Sequence, residues 1–181
     1  MELSDGWIRL RAYRPDDVDA LFEAVSESVL ELAAWLPWAH PGYCRDESAA
    51  WVASRAEAWY KGDAYDFAIE DARTSALLCG CGLNRIDVNS KCANLGYWVR
   101  TSRAGRGVAT AAVRLLVPFG LADLGLQRLE ILVAAQNRAS QRVAEKAGAR
   151  KEGILRKRFF LQGLPQDAML YSLIAEDLSQ S

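Results

Sequence analysis

The residues best suited to chemistry in this chain are Thr101-Ser-Arg-Ala-Gly-Arg-Gly107, a glycine and arginine stretch set between two apolar runs. Upstream, Asn94-Leu-Gly-Tyr-Trp-Val-Arg100 has the residues of a pleated strand; downstream, Val108-Ala-Thr-Ala-Ala-Val-Arg-Leu-Leu116 is rich in helix formers. A strand, a turn and a helix in that order point the free N–H groups of the helix start, at Val108, Ala109 and Thr110, outward. Gly105 and Gly107 let the backbone turn tightly and approach a ligand, the helix dipole adds partial positive charge, and Arg103 and Arg106 add full charges. The chemistry this arrangement offers is the holding of a phosphate or pyrophosphate. A P-loop needs Lys-Ser/Thr after its last glycine, where Val108-Ala109 stands; a dinucleotide fingerprint needs a third glycine, where Thr110 stands. An ordinary strand-to-helix turn is the plain alternative for so short a motif.

A second segment bears on the choice. Gly125 to Ala134 is apolar enough for a buried strand, and Asn137-Arg-Ala-Ser140 then opens a helix that Asn137 caps, that puts Ser140, Val143, Ala144 and Ala147 on one face, and that Gly148 stops. Ala104-Gly-Arg-Gly107-Val-Ala109 resembles the coenzyme A pyrophosphate loop of the GNAT N-acetyltransferases, Q/R-x-x-G-x-G/A, with Ala104 in place of the usual Gln or Arg and Arg103 and Arg106 beside it. Asn137-x-x-Ser140, the short helix and Gly148-Ala-Arg-Lys-Glu-Gly153 resemble the ribosomal-protein N-terminal acetyltransferase (RimJ/RimL-like) branch of that superfamily. Arg9 to Asp19, Trp35-Leu-Pro-Trp38, Gly96-Tyr-Trp98 and Asp167-Ala-Met-Leu-Tyr171 are similar to its opening strand and helix, substrate-side loop, central strand and last strand, so the resemblance covers nearly the whole chain.

The resemblance implies one α+β GNAT domain over residues 1–181: a mixed, mostly antiparallel central sheet of about seven strands, splayed in the middle and flanked by helices on both faces. It implies acetyl-CoA as cosubstrate, no metal, and binding through Trp98, Val99, Arg100, Gly105, Arg106, Gly107, Val108, Ala109, Thr110, Asn137 and Ser140. An uncharged amine attacks the thioester directly, so the protein must position the reactants, accept a proton, stabilise the oxyanion and help the thiolate leave. By resemblance, backbone N–H groups at Trp98 and Val99 serve the oxyanion, Asn137 orients the pantetheine and Ser140 donates to the sulfur. The glutamate that some relatives carry after the Glu-Gly pair is replaced by Arg156-Lys-Arg-Phe-Phe160, which leaves a bound water, Glu70, Glu130 or Tyr97 as proton acceptor. The acceptor substrate is the N-terminal amine of a protein or peptide, or a small amine such as a polyamine, an aminoglycoside or an amino-acid-like toxin; a noncatalytic acyl-CoA-binding domain is the third class. The branch also implies a homodimer.

Composition agrees with such an enzyme. A 181-residue chain suits a single domain, and no apolar run is long enough to cross a bilayer or precede a signal-cleavage site, so a cytoplasmic location is expected. Net charge −1 argues against a general nucleic-acid binder. The charge is nonetheless uneven, with Arg100, Arg103, Arg106 and Arg114 crowding the loop and Lys146, Arg150 and Lys151 expected near it. Cys44, Cys79, Cys81 and Cys92 lack metal-ligand spacings and are read as core residues, and the one histidine, His40, falls in the loop after Pro37.

The expected elements are strands at 7–13, 65–70, 76–87, 92–99, 127–134, 150–162 and 166–174, with a helix from 16 to about 26, a second from 29 to 35, and one capped by Asp46 with Ala49, Val52, Ala53, Ala56 and Trp59 on its apolar face and Gly62 at its end. Helices from 107 to about 124, kinked at Pro118, and from 138 complete the set. Trp35, Trp38, Trp51 and Trp59 suggest an aromatic wall at the substrate entrance.

Overall fold

Along the strand Tyr65–Asp71 (β3), Phe67 and Ile69 join one apolar cluster and Ala68 joins another, so period-two alternation buries the sheet on both faces. The structure, a computed structural model, describes residues 1–178. Its strands are Glu2–Ser4 (β1), Ile8–Ala12 (β2), β3, Leu77–Asp87 (β4), Cys92–Val99 (β5), Arg128–Ala134 (β6), Arg150–Leu161 (β7) and Leu164–Leu173 (β8). They form one sheet in the order β1-β2-β3-β4-β5-β6-β8-β7. The helices are Val18–Ala33 (α1), Arg45–Lys61 (α2), Val108–Pro118 (α3), Arg138–Lys146 (α4) and Ala175–Leu178 (α5). Leu21, Ala24 and Val25 of α1 and Val52 of α2 pack on Ala68 and Leu77, while Ala112, Val113, Leu116 and Val117 of α3 and Ala144 of α4 pack on Phe67, Ile69, Leu95 and Ile131. The two helix pairs therefore cover opposite faces. No described helix is long and apolar enough to cross a membrane.

All neighbouring strands but one pair are antiparallel. β5 and β6 run parallel and pair only at Cys92↔Arg128, Ala93↔Leu129 and Asn94↔Glu130, after which β5 stays with β4 as far as Val99 and β6 stays with β8 as far as Ala134. The expected splay is therefore present, and it opens the middle of the sheet.

Several expectations need correction. There are eight described strands rather than seven, because three-residue β1 is too short to show a period. Residues 16–26 and 29–35 do not form two helices: α1 runs unbroken after a 3-10 turn at Pro15–Asp17, since Val18–Ala33 holds no glycine or proline to interrupt it. Cys44, not Asp46, caps α2, with its N–H bonded to the Glu47 carboxylate at 2.9 Å. Cys44 is exposed, unlike core residues Cys79 and Cys81; Ala53 and Ala56 also face solvent. At Pro118 the α-helix passes into a π-helical turn, Phe119–Asp123, instead of a simple kink.

Candidate active site

The loop between β5 and α3 is held from outside. A 3-10 turn at Thr101–Arg103 is fastened to α1: Thr101 N–H donates to Ser28 Oγ at 2.9 Å and Ser102 N–H to Glu27 Oε1 at 2.7 Å. The chain then needs left-handed backbone at Gly105 (φ 74°) and Gly107 (φ 86°). A Cβ at Gly105 would meet nothing within 4 Å and one at Gly107 only the Trp7 ring at 3.8 Å, so conformation, not packing, demands glycine there. α3 begins without a side-chain cap, and the Gly107 carbonyl accepts from Ala111 N–H at 3.0 Å, which leaves Val108, Ala109 and Thr110 with N–H groups that no helical carbonyl reaches. Arg106 is exposed beside them. This is the geometry of an anion site at a helix start. An open depression of about 560 Å³ adjoins it, bounded by Trp7, Gly107, Thr110, Arg114 and Lys146. Arg114 donates to Lys146 O at 2.6 Å and so ties α3 to the end of α4.

Arg100 is a correction. Its guanidinium turns to α1, 2.9 Å from Glu23, 2.5 Å from Glu27 and 3.2 Å from Leu77 O, so it fastens the loop instead of facing a phosphate. The Arg100 bonds, with those from Ser102, hold the Glu27 carboxyl down to about 2.

Across the splay, two hydroxyls meet. Tyr97 on β5 places its OH 3.0 Å from both Ser140 Oγ and Ser140 O on α4, while Asn137 Oδ1 accepts from Ser140 N–H at 3.0 Å as the helix cap. The start of α4 is anchored by Asn137 N–H to Ala134 O at 2.8 Å and by Gln141 Nε2 to Ala135 O at 2.8 Å. Burial pushes the Tyr97 phenol up to about 12, so it stays protonated at neutral pH: a hydrogen-bond donor and not a base. Backbone direction separates its neighbours. Arg100 N–H bonds back to Leu78 O on β4, and Lys91 O accepts from Gln127 and Arg128 on the β6 side, so alternation along β5 turns the N–H groups of Tyr97 and Val99 to the open edge and that of Trp98 to β4. Val99, but not Trp98, can therefore offer its N–H to an oxyanion.

The other proposed bases are accounted for. Glu70 is buried, with one carboxylate oxygen on Arg9 and the other on Arg11, which also holds Asp17. Glu130 lies at the closed end of the splay with its carboxylate 2.9 Å from Arg128 Nε. Arg156-Lys-Arg158 forms an exposed bulge whose Lys157 N–H donates to Asp167 at 2.8 Å.

On the α1/α2 face, Trp38 stands 6.1 Å from the Trp98 ring and 6.2 Å from Tyr43, which stacks 6.5 Å from Phe22. Of Trp35, Trp38, Trp51 and Trp59, only Trp38 joins this aromatic group. Trp59 packs among Tyr65, Phe67 and Phe119, Trp51 lies under the Arg55 guanidinium, and Trp35 belongs to the turn after α1. His40 lies in its loop, exposed, 2.9 Å from Glu47. Asp66, absent from the candidate residues above, is buried on the same face and paired with Arg55 at 2.6 Å. A charge inside the alternating run Tyr65-Asp-Phe-Ala-Ile69, opposite Gly80-Cys-Gly82, was the available signal.

Residues 8–150 match the acetyltransferase (GNAT) domain family. The chain is 28% identical over 172 residues to the putative ribosomal N-acetyltransferase YdaF of Bacillus subtilis, covering 94% of this chain and 92% of the relative. It is 25% identical over 169 residues to the ribosomal-protein-serine acetyltransferase of Escherichia coli, covering 93% of each. Among solved structures, Mycobacterium smegmatis RimJ in complex with CoA-disulfide superposes with a TM-score of 0.86 at 25% identity, over 100% of this chain and 89% of that one.

Proposed function

The chain belongs to the acetyltransferase (GNAT) domain family and is an acetyl-CoA-dependent N-acetyltransferase, and from that premise we propose that its acceptor is the N-terminal amine of a protein. The observation that carries the reading is the open edge between β5 and β6 with the Tyr97–Ser140 hydroxyl pair across it. In this reading the Gly105 to Thr110 turn takes the pyrophosphate, assisted by Arg106. The Asn137 amide, whose Oδ1 is spent on the cap, orients the pantetheine through Nδ2. The amine nitrogen attacks the thioester carbon from the α1/α2 face as the carbonyl oxygen gains charge toward Val99 N–H. The C–S bond then breaks as the Ser140 hydroxyl, polarised by Tyr97, donates a hydrogen bond to the departing thiolate, which takes its proton from solvent. One relative is named a ribosomal-protein-serine acetyltransferase and the other a putative ribosomal N-acetyltransferase, which favours a protein terminus over a small amine.

A turnover screen with acetyl-CoA tests it, comparing short peptides that begin with serine or alanine with polyamines and aminoglycosides. A kcat/KM at least ~10-fold higher for the peptides is expected. Faster turnover of a small amine would reassign the acceptor, and coenzyme A binding without turnover of any amine would favour a noncatalytic domain. The same reading includes a cytoplasmic homodimer without nucleic-acid or membrane partners; exposed Ile154, Phe160 and Leu164 on the last hairpin offer apolar surface for a second copy. A monomer mass by light scattering would remove the dimer.

A further inference from the structure

We propose that Asp66 is the terminal acceptor of the proton shed by the acceptor amine, reached through water along a trough floored by Gly82 and Gly96. The proposal rests on the acetyltransferase reading above and supplies the base which that reading lacks.

The trough follows from strand register. Asp66, Gly82 and Gly96 are successive partners across β3, β4 and β5, and all three lie on the α1/α2 face, from which the amine arrives. The next row on one side is Ala68, Gly80 and Trp98; on the other side Asn84 pairs with Asn94, whose amides bond at 3.0 Å. A Cβ at Gly82 would lie 2.5 Å from Asp66 Oδ1, so the carboxylate already reaches over β4. One further strand spacing, about 4.8 Å, brings it over β5 at Gly96, whose own Cβ would meet only the Asn84 and Asn94 amides, at 3.7 and 3.8 Å. Beyond Gly96 is the open edge, and the Val99 N–H group proposed to face the thioester lies three residues, about 10 Å, further along it. Any side chain at position 82 or 96 would block this path; glycine at both keeps it open.

The walls carry polar ends suited to holding water. Trp98 Nε1 and the Tyr13 hydroxyl converge over Gly80, each 2.7 Å from where a Cβ would stand there. Asp66 Oδ2 is 2.6 Å from Arg55, which leaves Oδ1 toward the trough. Burial raises the carboxyl above its ordinary value, and the Arg55 pairing only partly offsets that, so the group is more basic than a surface aspartate. The other groups whose charge bears on this corner are Tyr13, held neutral by burial, Cys81 on β4, and Asp17, which Arg11 neutralises.

The step balances. As the C–N bond forms and the C–S bond breaks, the amine nitrogen loses one proton to water and that water passes one to Asp66 Oδ1; the departing thiolate, held by a hydrogen bond from Ser140, takes its proton separately, from solvent.

The test uses the full chain, acetyl-CoA and a short peptide with an N-terminal serine. Asp66→Asn should lower kcat by ~10²- to 10⁴-fold, the range of a lost general base, with acetyl-CoA affinity by calorimetry within about twofold. In the wild type, log kcat/KM should steepen from slope one, set by the amine, to slope two below the Asp66 pKa; the Asn variant should keep slope one. Arg55→Gln keeps the carboxylate and removes its partner, so the steepening should persist and move to higher pH, which a purely structural salt bridge would not produce. A folded Asn variant with wild-type turnover, or an Arg55→Gln profile that does not move, overturns the assignment. A wild type that binds acetyl-CoA but acetylates no amine overturns the acetyltransferase reading itself, and the Asp66 role with it.

Discussion

The Tyr97 hydroxyl on β5 lies 3.0 Å from the Ser140 hydroxyl on α4, and this contact joins the two halves of a sheet whose strands have parted. Two roles are open to it, and they separate by experiment. If the pair donates a hydrogen bond to the departing coenzyme A thiolate, Ser140→Ala should lower turnover by ~10- to 1,000-fold with little change in acetyl-CoA affinity. Tyr97→Phe should lower it less, and the double variant should be no slower than Ser140→Ala, because the two act as one unit. A structural role predicts a loss of roughly 1 kcal/mol of stability with turnover intact. Melting temperature and steady-state kinetics on the same variants decide between them.

Gly107 has a φ of 86° with only the tip of Trp7 near its missing Cβ. Valine there costs about 1 to 3 kcal/mol of backbone strain and brings two methyl groups toward the turn where the pyrophosphate is proposed to lie. Calorimetry should show acetyl-CoA affinity in Gly107→Val reduced by at least ~10-fold. Equal affinity in a folded variant would remove the loop from the binding site.

The clamp of α1 on the loop should make folding stability fall in acid. Glu27 titrates at about 2 in the folded protein, below its ordinary 4.5, because Arg100 and Ser102 hold its carboxylate. A depressed folded pKa contributes stability that is fully present above the unfolded value and lost as pH falls through the folded one, so the relevant window runs from about 4.5 down to about 2. Glu27→Gln should flatten the pH dependence of urea midpoints within that window. Much of Glu27 is in contact with solvent, so raised salt should shrink the effect.

The sequence shows those parts of the site that depend on local chemistry. The Gly105-x-Gly107 turn, the Asn137 cap and the strand around Tyr97 are all visible because backbone conformation and period-two patterning are local properties. Direction and distant pairing are not local. Arg100 looks like a phosphate ligand until Glu23 and Glu27, more than seventy residues earlier in the chain, are seen to take it. Trp98 looks like an oxyanion donor until the register with β4 shows which way its N–H points. Asp66 and Glu70 are both acids in one strand, and only tertiary structure shows that two arginines enclose Glu70 while one oxygen of Asp66 faces a glycine floor.

Trp38 offers the last test, on the acceptor side. It is 42% exposed in the loop after α1, and its ring meets Trp98 at 6.1 Å on the face from which the amine is proposed to enter, opposite α3 and α4. Its side chain touches neither the pyrophosphate turn nor the Tyr97–Ser140 pair, so its contribution should fall on acceptor binding alone. Trp38→Ala should raise the KM for a peptide acceptor by ~5- to 50-fold, the scale of one lost aromatic contact, while kcat changes little and the acetyl-CoA dissociation constant stays within about twofold. Because the side chain is partly exposed and Trp38 itself belongs to neither main apolar cluster, the melting temperature should fall only slightly. An unchanged peptide KM in a normally stable variant would show that the acceptor does not pass along the Trp38–Trp98 wall.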